Sequence, residues 1–237
     1  MNNFLKNSLV SIGVAPTDEQ IEQLDKFYEM LVDKNKVMNL TAITEYEDVV
    51  IKHFVDSMAV INAFSFDKIS SVIDVGTGAG FPGIVLKIFN ADINFTLLDS
   101  LNKRIGFLNE VKDELGLDKL SLIHGRAEDY ARMMEYREQF DICVSRAVAN
   151  LATLSEYCLP FVKKDGYFIA YKADDCSEEI ENAKKAIFLL GGKVENIISY
   201  KISNTDITRT FVIIKKISPI SKKYPRKAGL PSKEPLK

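Results

Sequence analysis

Val72-Ile73-Asp74-Val75-Gly76-Thr77-Gly78-Ala79-Gly80-Phe81-Pro82-Gly83 decides how this chain folds, once it is taken with Phe95-Thr96-Leu97-Leu98-Asp99 downstream. A short apolar, β-branched run ends in three alternating glycines, and Pro82 then opens an apolar helix. A second apolar run ends in an acid 23 residues after Gly76. This is the first βαβ unit of a doubly wound sheet, with a tight turn where a nucleoside-bearing cofactor approaches the backbone. Asp99, at the tip of the second strand, is placed to accept hydrogen bonds from ribose hydroxyls.

Gly78 to Gly83 also fits G-x-G-x-x-G, the pattern of a nicotinamide or flavin dinucleotide site. The register argues against that cofactor. The strand stops at Val75, so the turn begins at Gly76 and the natural motif is Gly76-x-Gly78-x-Gly80. Asp74 at the strand's mouth repels a pyrophosphate but suits an ammonium group. No Lys or Arg occurs between Ser71 and Leu86, so nothing there resembles a phosphate-binding lysine. S-adenosylmethionine fits: adenosine for Asp99, a cationic amino-acid tail for Asp74, and no phosphate.

Composition bounds the rest. With 237 residues, 46% of them hydrophobic, the chain can bury one substantial core. Cys143, Cys158 and Cys176 are odd in number and widely spaced, which suits a reducing cytosol and offers neither a disulfide framework nor zinc spacing. Two histidines cannot supply a His-based metal site. No basic start with a long apolar run opens the chain, and no 18-residue apolar span occurs, so a cytoplasmic protein without membrane contact is expected.

The net charge of −2 is unevenly divided. Residues 215–237 hold eight basic side chains and one acid, net +7, leaving net −9 on the preceding 214. Four of the seven prolines also lie in this tail. A solvated, disordered C-terminus would explain it. Yet Lys222-Lys223-Tyr224-Pro225-Arg226-Lys227 interleaves an aromatic among the cations, the order expected of an RNA-backbone clamp.

Three parts follow in order: a helical extension over 1–65 packed on the core, a core over 66–217, and a basic, proline-containing tail over 218–237. Thr17-Asp18-Glu19-Gln20 reads as a capping box, and Ile21, Leu24, Phe27, Tyr28 and Leu31 mark one helical face. A second helical stretch runs from about Glu45 to Phe64. In the core, strands are expected near 71–75, 94–99, 120–124, 140–145 and 166–172, and helices near 83–89, 102–115, 127–136, 150–161 and 177–190. Lys193–Ile202 and Thr208–Lys216 read as two further strands joined by the polar turn Ser203-Asn204-Thr205-Asp206. The fold expected is therefore α/β: a Rossmann-like doubly wound sheet with a C-terminal antiparallel hairpin, the class I S-adenosylmethionine-dependent methyltransferase fold.

Asn39-Leu40-Thr41, His53-Phe54-Val55-Asp56-Ser57, the Asp74–Gly83 stretch, Leu97-Leu98-Asp99-Ser100, Lys103-Arg104, Val144-Ser145-Arg146-Ala147 and the tail Lys223–Pro231 together resemble the RsmG (GidB) family. The resemblance runs nearly end to end. It implies methyl transfer from S-adenosylmethionine to N7 of one guanine in small-subunit (16S) ribosomal RNA. A monomer is expected, acting on that RNA within the 30S subunit or its precursor, although the sequence does not separate naked RNA from the particle.

The residues bear on the target independently. Exocyclic amine methyltransferases commonly have an Asn/Asp-Pro-Pro-aromatic element after the fourth strand, where this chain has Ser145-Arg146-Ala147-Val148. Carbon-5 pyrimidine chemistry needs an exposed, activated cysteine, and Cys143 and Cys158 lie in apolar runs. Guanine N7 has an unprotonated in-plane lone pair and requires no general base, so positioning and electrostatics suffice.

Cofactor contacts are expected from Asp74, Gly76, Gly78, Gly80, Phe81 (by the family likeness, through its backbone), Asp99, Ala127, Glu128 and Arg146. Ala127 and Glu128 follow the third strand, where an amide and a carboxylate can read adenine's edge. Glu128 also suits a helix start. Arg146 ends the fourth strand beside the transfer site and can touch cofactor, guanine O6 or phosphate. His53 and Asp56 either pair with each other or, by the family likeness, face the pocket, where His53 would help Arg146 in positioning. RNA contacts are expected from Lys52, Lys103, Arg104, Arg126, Lys172, Arg209, Lys222, Lys223, Tyr224, Arg226 and Lys227. Three rivals remain: a ribose or other-base RNA methyltransferase, a dinucleotide-dependent oxidoreductase, and a ribosome-binding module without catalysis.

Overall fold

A computed structural model describes residues 3–173, 175–202 and 205–236. Seven strands make one sheet: β1 (Ser71–Val75), β2 (Asn94–Asp99), β3 (Leu120–His124), β4 (Phe140–Arg146), β5 (Val162–Lys172), β6 (Gly192–Lys201) and β7 (Thr208–Lys216). Their order is β3-β2-β1-β4-β5-β7-β6. The first five are parallel, while β7 runs antiparallel between β5 and β6, with Tyr171 opposite Phe211 and Ile197 opposite Val212. The hairpin therefore closes one edge of the sheet, as its two apolar runs imply. Ser203 and Asn204 of the expected turn lie outside the described residues.

Because strand side chains alternate between faces, the sheet sorts its apolar residues into two cores. Val72, Phe95, Leu97, Ile142, Val144, Ile169 and Phe211 lie in one. Ile73, Val75, Leu98, Cys143, Phe168, Ala170 and Val212 lie in the other. All three cysteines are buried and unpaired. Among the described residues no helix is long and apolar enough to cross a membrane, and no group of side chains is arranged to hold a metal ion.

The N-terminal helices cover the first core. The Asp18–Met38 helix starts on a complete capping box, with Gln20 N donating to Thr17 Oγ1 at 3.2 Å and Thr17 N to Gln20 Oε1 at 3.0 Å. Its apolar face places Phe27 5.9 Å from Phe54, 5.2 Å from Phe81 and 6.4 Å from Phe107, centroid to centroid. A further helix, Asn3–Val10, buries Leu5 and Leu9 and is not foreseen from the sequence. The second stretch is helical from Tyr46 to Asn62 but widens into a π turn over Val50–Val55, a distortion that recurs at functional sites.

The second core is covered by the helices Leu151–Cys158 and Ser177–Leu189 and by the C-terminal tail. Here two expectations are corrected. The helix expected over 127–136 is a single turn, Ala127–Tyr130, after which Arg132 and Arg137 reach out to backbone carbonyls of the tail. The tail is not a solvated coil: Ile220 and Tyr224 are buried, and residues Leu230–Lys233 form a short helix.

Candidate cofactor and active site

The order of the sheet reverses between β1 and β4, and a crevice opens beyond the carboxyl ends of those strands, where doubly wound sheets bind ligands. Hydrogen bonds fix its floor. Gly76 N and Thr77 N both donate to the Leu98 carbonyl of β2, at 2.8 and 3.2 Å, and Ser145 Oγ of β4 donates to Val75 O at 2.7 Å. Gly76 has φ +75°, and a Cβ there would stand 2.5 Å from Val148 Cγ2, so both conformation and space demand glycine. Gly78 also has positive φ, and nothing lies within 4 Å of its missing Cβ, which leaves bare backbone for a ligand to approach.

Asp99 ties this loop to the next helix. Its Oδ2 accepts from Gly78 N at 2.9 Å and from Arg104 Nη1 at 3.3 Å, and its Oδ1 accepts from Leu101 N at 2.9 Å. The crevice divides on either side of Asp99 and Gly76, which line both halves. One lobe, of 260 Å³, is lined by Gly125, Arg126, Ala127 and Glu128 after β3, by Val148, and by Tyr157 and Ser232. The other, of 360 Å³, is lined by Thr77, Gly78, Phe81, Arg104, Arg146 and His53, with Leu40 and Thr41 from the N-terminal region.

Asp74 sits behind this floor. It is fully buried, its Oδ2 accepts from Gly83 N at 2.9 Å, and its Oδ1 has no hydrogen-bond partner. Burial pushes its carboxyl from 3.8 up to about 7. Thr77 Oγ1 is likewise buried, although Thr77 lines the larger lobe. The Thr77 hydroxyl steadies the ionised Asp74 carboxylate, and a buried carboxylate at this depth fits a ligand that brings an ammonium group.

Arg146, at the end of β4, is held from several sides. Its Nη1 donates to Asp56 Oδ2 at 2.5 Å and to the Lys52 carbonyl at 3.2 Å, and its guanidinium lies 5.4 Å from the Phe81 ring centre. Asp56 is fully buried and also accepts from Arg209 Nε at 2.5 Å, so one carboxylate faces two guanidiniums and the group keeps a net positive charge. The His53 ring stacks on Phe81 at 4.4 Å. Its Nδ1 lies 3.0 Å from the Lys52 carbonyl and 3.3 Å from Arg146 Nη2, and its Nε2 lies 3.0 Å from Thr41 Oγ1, so both ring nitrogens are engaged. Burial, and then the charge of Arg146, hold the imidazole down to about 4, so it is neutral at pH 7.

The crevice thus brings together His53, Gly76, Gly78, Phe81, Asp99, Arg104, Arg126, Ala127, Glu128 and Arg146. Gly80 lies behind the loop, where its Cβ would stand 2.7 Å from Ile84 Cγ1. Among the expected RNA contacts, Lys52 pairs with Asp48 at the surface, Lys103 donates to the Met38 carbonyl, and Arg126 is exposed at the small lobe. Lys172 is turned inward, onto Glu179 and the Ala149 carbonyl, and Arg209 stands behind Arg146 on Asp56. Tyr224 is only 5% exposed, and Arg226 is forked onto the fully buried Glu156. Their expected stacking on RNA is therefore corrected, because apolar packing and a buried carboxylate already engage both side chains. Lys222, Lys223 and Lys227 remain exposed.

Sequence reasoning underrated Asp56 as the carboxylate shared by two arginines, and it missed Tyr157 and Ser232. Asp56 stood three residues from His53 in a quoted motif, whereas Tyr157 and Ser232 lie 75 positions apart and share no local pattern.

The model of the GidB family, rRNA small subunit methyltransferase G, matches residues 20–208. The chain belongs to this family. Ribosomal RNA small subunit methyltransferase G of Lachnoclostridium phytofermentans is 50% identical over 235 residues, covering 99% of this chain and 97% of the relative. The protein of the same name from Alkaliphilus oremlandii is 51% identical over 237 residues, covering 100% and 99%. Among solved structures, M. jannaschii TYW2 in complex with AdoMet aligns with a TM-score of 0.52 at 16% identity, over 68% of this chain and 77% of that one. TrmN from Thermus thermophilus aligns at 0.50 with 13% identity, over 69% and 48%. These likenesses show the fold, a class I methyltransferase sheet. Family and fold together make this chain an S-adenosylmethionine-dependent methyltransferase.

Proposed function

We propose that the two lobes divide one S-adenosylmethionine between them, with adenosine in the smaller lobe and the amino-acid end over Thr77, and that the target base enters beside Arg146 and His53. The reaction is methyl transfer to N7 of a guanine in 16S ribosomal RNA. The observation that supports this assignment of roles is the junction at Asp99 and Gly76, where a carboxylate suited to ribose joins a nucleoside-sized lobe to a cationic, aromatic rim. Bound there, S-adenosylmethionine would supply an electrophilic methyl carbon on its sulfonium, so that the N–C bond to the base forms as the C–S bond breaks and S-adenosylhomocysteine leaves.

The chain's own residues position rather than transfer protons. His53 titrates near 4 and both its ring nitrogens are engaged, so it is a poor general base, and guanine N7 needs none. Arg146 cannot swing freely, because Asp56 and the Lys52 carbonyl hold Nη1. Nη2 lies 3.3 Å from His53 Nδ1, and in this reading the guanidinium's free N–H groups meet guanine O6, which orients the base while leaving N7 open. Asp74 acts from behind Thr77, through the field of a buried carboxylate. Arg104 and Arg126 line the crevice and, with Lys52, Lys103, Lys222, Lys223 and Lys227, meet RNA phosphates. The enzyme acts as a cytoplasmic monomer on 16S ribosomal RNA, either naked or within the 30S subunit or its precursor.

Calorimetry with S-adenosylhomocysteine and with NADH tests the cofactor. Only the former should bind, and Asp99→Ala should weaken it by roughly 1.5–3 kcal/mol in a folded protein, the range for hydrogen bonds to charged groups. NADH binding, or unchanged affinity in the variant, would refute the assignment. Parallel methylation of naked 16S RNA and of unmodified 30S subunits separates the two substrates.

A further inference from the structure

The C-terminal tail reaches the cofactor crevice. Arg137 donates to the carbonyls of Ile220, Ser221 and Tyr224, and Arg132 donates to that of Pro225. Arg226 then locks onto Glu156, whose carboxylate is fully buried and accepts from the Arg226 backbone N at 2.7 Å as well as from the guanidinium. With the tail fixed there, the chain turns at Gly229 and its N–H donates to Glu128 Oε1 at 2.8 Å. Thr153 Oγ1 donates to the Pro231 carbonyl at 3.1 Å, and Ser232 emerges on the lining of the smaller lobe together with Tyr157 and Glu128.

A carboxylate with one oxygen bound to a fixed N–H can no longer rotate freely. Glu128 Oε1 is committed to Gly229, while Oε2 accepts no hydrogen bond from the described residues and belongs to a residue on the lobe's lining. An oxygen held in this way selects for a donor. Adenine presents one, its exocyclic amine, whereas hypoxanthine presents a carbonyl oxygen at the same place and is repelled.

We propose that residues 229–232 complete the adenine subsite and position Glu128 for the exocyclic amine, so that the C-terminal strap sets the nucleobase selectivity of cofactor binding. Gly229 and Ser232 are positioning residues in this account: they act through Glu128 and through the shape of the lobe. The basic tail therefore serves the cofactor site, and only its outward lysines are left for RNA. The inference rests on the S-adenosylmethionine reading given above.

The test compares S-adenosylhomocysteine with S-inosylhomocysteine by calorimetry on three proteins. These are the full chain, a chain ended after Lys227, which keeps Tyr224 and Arg226, and the full-length variant Thr153→Val, which releases the Pro231 carbonyl. The full chain should prefer the adenosyl compound. In the truncated chain, adenosyl affinity should fall about tenfold, the effect of losing one hydrogen bond to a charged group, and the preference should shrink towards unity. Thr153→Val should move both quantities the same way by a few-fold, and it decides the matter if the truncated chain fails to unfold cooperatively. A folded truncated chain, or a Thr153→Val protein, with parental affinity and parental preference would overturn the strap's role while leaving the cofactor reading intact. A full chain that bound neither compound would overturn both.

Discussion

The two ends of the chain do the same job by different means. The N-terminal helices cover one face of the sheet with rings, Phe27 against Phe54, Phe81 and Phe107. The C-terminal tail covers the other face with Ile220 and Tyr224 but is fastened mainly by arginines and glutamates reaching backbone groups. Each end also supplies one side of the crevice: His53 and Thr41 come from the first, Ser232 from the second. Apolar packing is non-directional and tolerates small shifts, whereas an ion pair with a buried carboxylate holds one geometry and fails if either partner is lost. A basic, proline-rich terminus is thus part of the fold where buried acids receive it.

The largest expected effect is at the N-terminal end. Phe27→Ala removes the ring that meets three others and should cost about 3–5 kcal/mol of folding stability, read from denaturant unfolding. At the other end, Arg226→Met leaves Glu156 as a buried charge with no guanidinium and should cost roughly 3 kcal/mol. Adding Glu156→Gln should recover much of that loss, because the charge that needed a partner is gone. A full additive loss in the double variant would mean that the pair has no special coupling, and the contrast between the two ends would collapse.

A third test lies between the ends, at Asp74. Its carboxyl is raised from 3.8 to about 7 by burial, so the folded chain keeps the proton to higher pH than the unfolded chain. Folding stability from this group is therefore full below about pH 4 and is lost as pH rises through 7. Asp74→Asn should lack this decline, so its stability relative to the parent should grow from pH 4 to 8. For the parent, cofactor affinity should rise over pH 6 to 8, as an ammonium ligand favours the ionised carboxylate. An Asp74→Asn protein with the same pH dependence would remove Asp74 from the account. The smallest effect is expected at the exposed rim: Lys103→Ala should leave cofactor binding unchanged and lower the salt slope of RNA affinity by about 0.7.

The sheet was legible because its signals are local. Apolar runs of strand length, glycines at the β1 turn and Asp99 at the tip of β2 all act within a few residues of where they stand. The capping box at Thr17 was legible for the same reason. The tail was misjudged because its partners are distant: Arg226 meets Glu156 70 positions away, and Gly229 meets Glu128 101 positions away. Charge counting shows that a segment is basic, but not that buried acids await it. The ion pairs of Arg209 and Lys172 are equally invisible in the sequence, since Asp56 and Glu179 reach them only through the folded sheet and helices. Asp74 marks a subtler gap: the motif locates it at the strand's mouth, while the structure buries it completely, with Gly83 N donating to its Oδ2.

Methyl transfer to a guanine N7 by positioning alone leaves a chemical signature in the product. Unmodified 30S subunits should be incubated with labelled S-adenosylmethionine and the enzyme, and the RNA then digested to nucleosides for identification of the labelled product. The account predicts 7-methylguanosine at a single site, with a chemical step nearly independent of pH between about 6 and 9 once cofactor is saturating. Label in a ribose, an exocyclic amine or a pyrimidine carbon, or a steep pH limb tracking one enzyme group, would contradict it.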